Sequence, residues 1–268
     1  MCQSWRDKGN TIAFVPTMGC LHAGHLSLVQ KAQSIADHVV VSIFVNPLQF
    51  GDSNDFLKYP STLEEDVRKL SDIGVSLVFT PDVSTLYPEG ENAVQKIELG
   101  EIANVLEGAH RPGHFAGVAT VVKRLFDLIN PTSAVFGEKD FQQLMVIKQL
   151  VEKFSLDIDI IGMPTCREID GLAMSSRNLR LSKKDRVKAS EIFRQLKYVK
   201  LELDSGNLNF AQLENEACEK LKYAGFTPEY VSICEIDTLL PAKNKSGSKI
   251  VLAAAKLDEI RLIDNLKA

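Results

Sequence analysis

The chain has 268 residues, of which 45% are hydrophobic and 25% are charged, ordinary values for a globular protein with a substantial core. The formal net charge of −4 and the pI of about 5.8 argue against a nucleic-acid partner, because nucleic-acid surfaces usually carry a basic excess. The N-terminal segment has no apolar signal region and no stretch is apolar enough to span a bilayer, so we predict a soluble protein with no membrane partner.

The five cysteines are odd in number and scattered, and no two of them form a Cys-x-x-Cys pair. This pattern favours reduced thiols over a disulfide framework or a zinc ribbon. Because reduced thiols are typical of a reducing compartment, we predict a cytoplasmic location.

The first part of the chain, residues 1–164, alternates strand-like and helix-like segments. This alternation predicts an α/β fold, a Rossmann-like doubly wound parallel sheet whose ligands collect at the carboxyl ends of the strands. The predicted strands are Ile12–Val15, His38–Phe44, Val75–Thr80, Lys96–Leu99 and Ser133–Phe136. The predicted helices are Leu26–Ala36, Leu63–Ile73, Phe115–Ile129 and Gln142–Phe154.

Residues 165–268 are predicted to form a second, smaller α+β domain. Segment 181–203 has one amphipathic pattern and is predicted as a single helix, with Ser182 and Asp185 as its capping box. A second helix is predicted to follow a cap at Asn209. Strand-like segments then predict a short antiparallel sheet, at 229–236, 249–255 and 259–264, with a turn-rich segment at 241–248.

The most informative segment joins the first strand to the first long helix and reads VPTMGCLHAGHL (15–26). His22 and His25 are spaced to face one way at the start of a helix, where free amide N–H groups and the dipole favour phosphate. Gly24 has no Cβ to obstruct a nucleotide. Two histidines at this spacing are also common as ordinary surface or core residues, or as zinc ligands. The segment is neither a GxGxxG fingerprint nor a P-loop.

Polar residues follow the second strand, in FVNPLQF (44–50). Asn46 and Gln49 carry amides that both donate and accept, and so match a substrate with hydroxyl and carboxylate groups. The alternative is a turn closed by Asn-Pro with Gln49 in solvent.

The segment VFGEKDFQQL (135–144) again places a glycine and polar residues after a strand. Lys139 suits phosphate charge, and Asp140 suits Mg²⁺, directly or through water. Gln143 lies on the same face if the helix includes Lys139. An ordinary solvated helix start is an equally good interpretation.

The segment REIDGLAMSSRN (167–178) contains Ser175, Ser176 and Arg177, which can hydrogen-bond phosphate oxygens, the arginine as a fork. Loops of this composition are also common as simple linkers. By itself this segment therefore leaves the choice open.

The segment EGAHRPGHFAGV (107–118) contains His110 and His114. Proline and glycine between them argue against a helical pair, so we predict a loop that lines the site. A zinc cluster of these two with His22 and His25 is an alternative, although no acidic or cysteine ligand has a recognisable spacing.

Taken in order, these motifs resemble the pantothenate synthetase family over nearly the whole chain, from Thr11 to Asn265. The resemblance implies a nucleotidylyltransferase-type Rossmann fold and ATP-dependent condensation of (R)-pantoate with β-alanine, releasing AMP and pyrophosphate. The matching motifs are PTMGxLHxGH, FVNPxQF, YPST (59–62), EGxxRPGHFxGV, FGEKDxQQ, REIDGLAMSSRN and RLIDN (261–265).

The resemblance also implies roles for individual residues, with His25 as the proton donor. His22 and Lys139 are expected to assist His25 in catalysis, and Mg²⁺ to accompany ATP. Gln49 and Gln143 are expected to hold pantoate, with Asn46 nearby. The residues expected to contact ATP are Met18, Gly19, Cys20, Leu21, His22, Ala23, Gly24, His25, Gly137, Glu138, Lys139, Asp140, Cys166, Met174, Ser175, Ser176 and Arg177.

The chain departs from the family pattern in three places. Cys166 stands where the family often has Val near adenine, and Ser61 replaces the arginine of a YPRT motif. The family usually has a further strand and helix before Thr11, so we expect a shortened sheet edge here. Family members are commonly homodimers, and we expect the same assembly.

Alternatives to this function remain open at the level of sequence. A related nucleotidyltransferase would transfer AMP to a different small acid, and a zinc hydrolase would use the histidine cluster. A nucleotide sensor would bind ATP without turnover, and a tRNA synthetase fragment is disfavoured by the acidic pI.

Overall fold

The computed structural model describes residues 1–50, 59–91, 93–244 and 246–268; Lys245, in the predicted turn 241–248, lies outside them. The chain divides into two compact units, and each is described by itself. The first unit consists of Met1–Asn104, Arg111–Glu138 and Gln142–Pro164, and the second of Val105–His110, Lys139–Phe141 and Thr165–Ala268. The second unit thus includes two short segments from the range predicted for the first domain. Whether 1–164 and 165–268 fold as separate domains stays a prediction.

The first unit is built on a five-stranded sheet in the order β3-β2-β1-β4-β5. All of its strand pairs are parallel. Its strands are β1 (Ile12–Thr17), β2 (His38–Ile43), β3 (Leu77–Phe79), β4 (Ser133–Gly137) and β5 (Asp159–Met163).

Helices longer than one turn are numbered along the chain. In the first unit these are α1 (Cys2–Asp7), α2 (Ala23–Gln33), α3 (Leu63–Asp72), α4 (His114–Ile129) and α5 (Phe141–Lys153, whose first residue groups with the second unit). One-turn helices lie at Val83–Leu86 and Glu107–His110. In the part of the chain that the structure describes, no helix combines the length and the apolar character needed to cross a membrane.

The sheet is covered on both faces, as its apolar strands predict. In β1, Ile12 and Phe14 pack in one core cluster with residues of α4 and α5, whereas Ala13 and Val15 pack in another with residues of α2 and α3. All four side chains are fully buried. Because successive strand residues point to opposite faces, these two clusters are the two sides of a doubly wound sheet, and the predicted fold class is confirmed.

The strand predicted at Lys96–Leu99 is wrong, because this segment has no strand partner and is irregular. The Ile97 amide donates instead to the hydroxyl of Thr120 at 2.9 Å, and the Glu98 carbonyl accepts from Lys153 at 2.6 Å. Leu99 is buried in the core. Its apolar residues therefore serve to cover helices rather than to extend the sheet. In contrast, β5 is a strand that the sequence analysis did not predict.

The second unit has a three-stranded antiparallel sheet and a layer of helices, which confirms the predicted smaller α+β part. The sheet order is β6-β7-β8. Alternate residues of the central strand, Val251, Ala253 and Ala255, pack in one core with the apolar faces of the helices. The elements are α6 (Lys183–Lys188), α7 (Glu191–Asp204), α8 (Phe210–Tyr223), β6 (Phe226–Glu235), β7 (Lys249–Leu257) and β8 (Ile260–Lys267).

The single helix predicted at 181–203 is wrong, because the structure has α6 and α7 with a break at Ala189 and Ser190. Both break residues are buried, and Ala189 lies in the core with Ile192 of α7. The Ser190 hydroxyl makes no hydrogen bond and does not cap α7, so packing of these two small residues, and not side-chain capping, accompanies the break. The Ser182 half of the predicted capping box is confirmed, since the Ser182 hydroxyl accepts from the Asp185 amide at 3.1 Å.

Candidate active site

The strand order places three of the predicted motifs at one edge of the first sheet. Strand β1 lies in the middle of the sheet and pairs with β2 on one side and β4 on the other. Loops after these strands leave at their carboxyl ends, where doubly wound sheets bind ligands.

The loop after β1 takes a conformation that glycine favours. Gly19 has a φ of +81° and Cys20 a φ of +53°, both in the left-handed region. A Cβ on Gly19 would lie 3.0 Å from Cγ2 of Ile43 and 3.1 Å from Oδ2 of Asp66. The Thr17 hydroxyl accepts from the Gly19 amide at 3.2 Å. A larger residue in place of Gly19 would therefore be strained and crowded.

A buried carboxylate holds this loop from helix α3. Asp66 is 0% exposed and accepts from the amides of Cys20 and Leu21, each at 2.7 Å. Lys69 donates to the Leu21 carbonyl at 2.8 Å. Both amides are therefore committed to an anion of the protein itself. The sequence analysis did not predict a role for Asp66, because an acidic residue in the first turn of a helix is usually explained by its favourable interaction with the helix dipole.

His22 and His25 open helix α2. His22 is the N-cap, and its Nδ1 accepts from the Gly24 amide at 3.2 Å, while Nδ1 of His25 accepts from the His22 amide at 3.3 Å. The ring centroids lie 4.1 Å apart, so the prediction that the rings face one way is confirmed. Because each Nδ1 is an acceptor, the neutral imidazoles carry their protons on Nε2. The pair is arranged to donate hydrogen bonds at the end of a helix that favours anions.

The segment after β2 buries both of its amide side chains. Asn46 is 1% exposed and Gln49 is 8% exposed, so the alternative of a solvated Gln49 is wrong. Nε2 of Gln49 lies 3.0 Å from the sulfur of Met18. This contact brings together the segments that follow β1 and β2.

The segment after β4 is shared by the two units. Gly137 ends β4 in the first unit, whereas Lys139 groups with the second. Residues 138–140 form a 3-10 turn before α5, so Lys139 precedes this helix rather than lying on it. Gln143 is half-buried in the first turn of α5.

His114 supports the backbone of Gln49. Its Nδ1 lies 2.8 Å from the Gln49 carbonyl oxygen, and its Nε2 lies 3.2 Å from Nη1 of Arg111. A carbonyl oxygen only accepts, so Nδ1 carries the proton and Nε2 accepts from the guanidinium. Both ring nitrogens of His114 are thus engaged by protein groups.

The zinc alternative has no support among the residues that the structure describes. These contain no group of three or more His, Cys, Asp or Glu side chains placed to hold a metal ion. His110 belongs to the second unit, where its ring packs against Tyr230 with centroids 5.5 Å apart.

In the second unit, the predicted phosphate-binding segment follows a short hairpin. The Met174 amide donates to the Cys166 carbonyl at 2.9 Å. The Ser175 hydroxyl then caps a 3-10 turn by accepting from the Arg177 amide at 3.3 Å. Ser176 is buried and Arg177 half-buried. These residues therefore lie on one stretch whose backbone is fixed by local hydrogen bonds.

Residues of the late RLIDN motif support this hairpin within the second unit. Asp264, 2% exposed, accepts a fork from the Arg167 guanidinium at 2.6 and 2.9 Å. Nδ2 of Asn265 donates to the Lys139 carbonyl at 2.9 Å. Sequence reasoning noted the motif but gave these residues no role, which only their burial and contacts indicate.

Comparison with known proteins gives one consistent result. Residues 1–267 match the family model described as Pantoate-beta-alanine ligase. A pantothenate synthetase of Idiomarina loihiensis is 49% identical over 263 residues, covering 98% of this chain and 93% of that protein. A pantothenate synthetase of Neisseria meningitidis is 49% identical over 265 residues, covering 99% of this chain and 95% of that protein.

Solved structures agree with the sequence relatives. The crystal structure of pantoate-beta-alanine ligase (pantothenate synthetase) from Thermus thermophilus has a TM-score of 0.91 and 44% identity, covering 96% of this chain and 93% of that one. The Francisella tularensis pantoate-beta-alanine ligase, complexed with beta-gamma ATP and beta-alanine, has a TM-score of 0.84 and 38% identity, covering 99% and 94%. With its fold, its motifs and its relatives in agreement, this chain belongs to the pantoate–β-alanine ligase family.

Proposed function

We propose that this chain condenses (R)-pantoate with β-alanine in two steps, using ATP. In the first step a carboxylate oxygen of pantoate attacks the α-phosphorus, and the bond from that phosphorus to pyrophosphate breaks. In the second step the β-alanine amine attacks the acyl carbon of pantoyl adenylate, the bond to AMP breaks, and the amine loses a proton to solvent. The observation that carries the proposal is the pair of histidines at the start of α2, whose Nδ1 atoms accept from backbone amides, together with the buried Gln49 that contacts Met18 of the preceding loop.

Residues of the first unit receive these roles. His22 and His25 donate to the phosphates through Nε2, and His25 is the proton donor. A neutral imidazole donates a hydrogen bond without charge, so positive charge over the phosphates is proposed to come from the protonated form of these histidines and from Lys139. Gln49 and Gln143 hold pantoate. Further ATP contacts are assigned to Met18, Gly19, Cys20, Leu21, Ala23, Gly24, Gly137 and Glu138.

Lys139 and Arg177 are assigned as the cationic groups for ATP. Lys139 offers a compact charge, and Arg177 offers a fork that matches phosphate geometry. Ser175 and Ser176 supply hydroxyls. Cys166 is assigned to adenine, and its carbonyl is already paired with Met174. If the adenine contact is made by backbone groups, the replacement of Val by Cys at this position should have little effect.

Mg²⁺ is expected to arrive with the triphosphate. The ion is usually held by phosphate oxygens together with one or two carboxylates, rather than by a dedicated protein cage. This fits the described residues, which contain no three-residue metal group but offer the exposed carboxylate of Asp140. When bound, the ion shares the negative charge of the phosphates.

The reaction needs no covalent enzyme intermediate. Alignment of two bound reactants alone lowers a barrier by about 7–11 kcal/mol when their geometry is right. Donors aimed at developing charge add to this, at about 3–4 kcal/mol for a single well-placed group. The assigned residues are of these positioning and donating types.

The proposal is tested by the dependence of AMP release on both acids, and by pantoate-dependent exchange between ATP and pyrophosphate. His25→Ala and Lys139→Ala should fold normally and lose exchange by at least about 100-fold. His38→Ala, which alters an imidazole at the opposite end of its strand, and Lys148→Ala, on the exposed side of α5, are the controls. Full exchange in both site variants would refute their roles. Exchange without β-alanine-dependent AMP release would indicate a different acceptor.

We also propose a cytoplasmic location and a homodimeric assembly. None of the five cysteines, all of them within the described residues, forms a disulfide, which suits a reducing compartment. The assembly is proposed by analogy with the family, and sedimentation equilibrium tests it: a monomer at assay concentration would contradict it.

A further inference from the structure

The amide of Asn46 has one orientation, set by two backbone groups. Nδ2 donates to the Gly117 carbonyl at 3.2 Å, and Oδ1 accepts from the Leu48 amide at 3.3 Å. A carbonyl only accepts and an amide N–H only donates, so reversing the side chain would lose both bonds. A Cβ on Gly117 would lie 2.3 Å from the Leu48 oxygen, which shows how closely α4 approaches this segment.

Tyr87 reinforces this orientation. Its hydroxyl donates to Oδ1 of Asn46 at 2.8 Å, and its side chain is 1% exposed. Burial raises the pKa of Tyr87 well above its ordinary value, so the hydroxyl keeps its proton at any pH of assay. Its ring packs edge-on to Phe44, with centroids 6.4 Å apart, and this contact does not need the hydroxyl.

The orientation of Asn46 determines that of Gln49. With Oδ1 occupied by Tyr87, Asn46 presents Nδ2 to Gln49, whose Oε1 accepts from it at 3.1 Å. The opposite end of the Gln49 amide, Nε2, is therefore turned toward the sulfur of Met18, a weak acceptor. A stronger acceptor placed in the same direction would form a more favourable hydrogen bond with Nε2 than the sulfur does.

We infer that Tyr87 is a positioning residue that acts through Asn46 to present Gln49 as a hydrogen-bond donor to an acceptor oxygen of the acid substrate. The inference rests on the proposed function, in which Gln49 holds pantoate. We call the hydrogen-bonded series Tyr87–Asn46–Gln49 the relay. It selects against a substrate group that can only donate, because such a group would face the Nε2–H of Gln49. All of the residues in the relay lie in the first unit.

The test is Tyr87→Phe, which deletes only the hydroxyl. Loss of one buried hydrogen bond is worth about 1 kcal/mol, so the KM for pantoate should rise roughly fivefold. The KM for ATP and the thermal midpoint should change little, a split that general loosening of the fold would not produce. Tyr198→Phe deletes a hydroxyl that donates to Glu216 in the second unit, and should leave every kinetic constant unchanged.

A second variant keeps the inference testable if Tyr87→Phe folds poorly. Asn46→Asp replaces the donor that faces Gln49 with an oxygen, so the Gln49 amide should reverse and present Oε1 to the substrate. The KM for pantoate should then rise by more than in Tyr87→Phe, again without a matching change for ATP.

Gln49→Ala distinguishes the role of Gln49 in binding pantoate from the role of Tyr87 and Asn46 in orienting it. If it raises the KM for pantoate while Tyr87→Phe and Asn46→Asp do not, the relay is wrong and the role of Gln49 stands. If Gln49→Ala has no effect on pantoate, the inference falls together with that role. AMP release that requires both acids would still support the reaction itself.

Discussion

At the scale of the residue, Asp66 illustrates how a side chain outside the recognised motifs can control a site. Its carboxylate accepts from two consecutive amides and also from the Thr62 hydroxyl at 3.1 Å. Such a group has no substitute of the same shape, because an amide in its place would turn one donor toward another. The left-handed loop before the histidines depends on it.

We therefore expect Asp66→Asn to destabilise the protein by about 1–3 kcal/mol, the cost of leaving a buried donor unpaired. ATP–pyrophosphate exchange should fall with it, because the loop that leads into His22 is released. Urea unfolding and the exchange assay measure the two effects. Glu64→Gln, an exposed change on the same turn of α3, should alter neither. An Asp66→Asn protein with full stability and exchange would show that the loop holds its own shape.

The sequence predicted those residues whose local motif indicates their chemistry. His22, His25 and Gln49 stand in motifs whose spacing indicates chemistry, and the structure places them at the ends of neighbouring strands. Asp66, Tyr87 and Asp264 were not predicted, because what distinguishes them is burial and a long-range partner. Neither property can be read from neighbours along the chain.

At the scale of the element, helix α8 carries two glutamates with opposite electrostatics. Burial raises the pKa of Glu214, against the opposing effect of a 2.7 Å hydrogen bond from the Ile233 amide. Hydrogen bonds from Tyr198 and Gln212 lower the pKa of Glu216. The same hydrogen bond acts in the opposite direction on its donor, and it raises the pKa of Tyr198 to about 12. Glu214 and Glu216 therefore allow two pKa shifts of opposite sign to be compared on one helix.

Glu214→Gln should stabilise the protein at neutral pH, and the gain should disappear below the ordinary glutamate pKa of 4.5. A raised pKa in the folded state means that the native protein binds this proton more tightly, so the wild-type residue loses stability as pH rises through that pKa. Glu216→Gln is the control with the opposite sign: it should destabilise at neutral pH, and the loss should vanish as pH falls through the lowered pKa. Urea midpoints from pH 3 to 8 measure both; parallel profiles for the two variants would contradict the assignment.

Regular elements with strong periodicity were predicted well, and errors arose where tertiary contacts override local pattern. Lys96–Leu99 has strand-like composition, yet its backbone is satisfied by side chains of Thr120 and Lys153. The amphipathic stripe of 181–203 continues through a break at two small residues, so periodicity alone could not reveal it. Strand β5 is short, begins at the exposed Asp159 and contains Gly162, and its pairing with β4 is seen only in the sheet.

At the scale of the whole molecule, the second unit depends on a segment that precedes it by about 60 residues. Glu107, 8% exposed, accepts a fork from Arg261 at 2.6 Å for each bond and a third bond from Tyr230 at 2.7 Å. Arg261 also donates to Glu229 at 2.9 Å. Removing one partner of a buried pair costs about 3–5 kcal/mol, since the other charge stays behind.

A fragment of residues 165–268 should therefore fail to unfold cooperatively on its own, because it lacks Glu107 and the Lys139 turn. Circular dichroism during a urea titration measures this. The full chain carrying Glu107→Gln should remain folded but unfold at lower urea than wild type, which isolates the contribution of the charge pair. A fragment with a sharp transition and a dispersed amide spectrum would instead support independent domains with a boundary at residue 164.

The overall architecture and the family could be predicted because seven motifs occur in a fixed order along the chain. The grouping of 105–110 and 139–141 with the second unit could not, because it depends on contacts such as Asn265 with the Lys139 carbonyl. Proximity along the chain assigns both segments to the first part. Only the structure shows that they group with the second unit.

The pairing of Asp66 with two loop amides bears on inhibitor chemistry. In glycine-rich phosphate loops, an acidic mimic gains by reaching for backbone N–H groups. An acidic arm aimed at the backbone amides of Cys20 and Leu21 would meet the carboxylate of Asp66, which already accepts from them, and be repelled. Uncharged acceptors such as sulfonyl oxygens, directed at the Nε2–H groups of the two histidines, are the better starting point for a competitive compound.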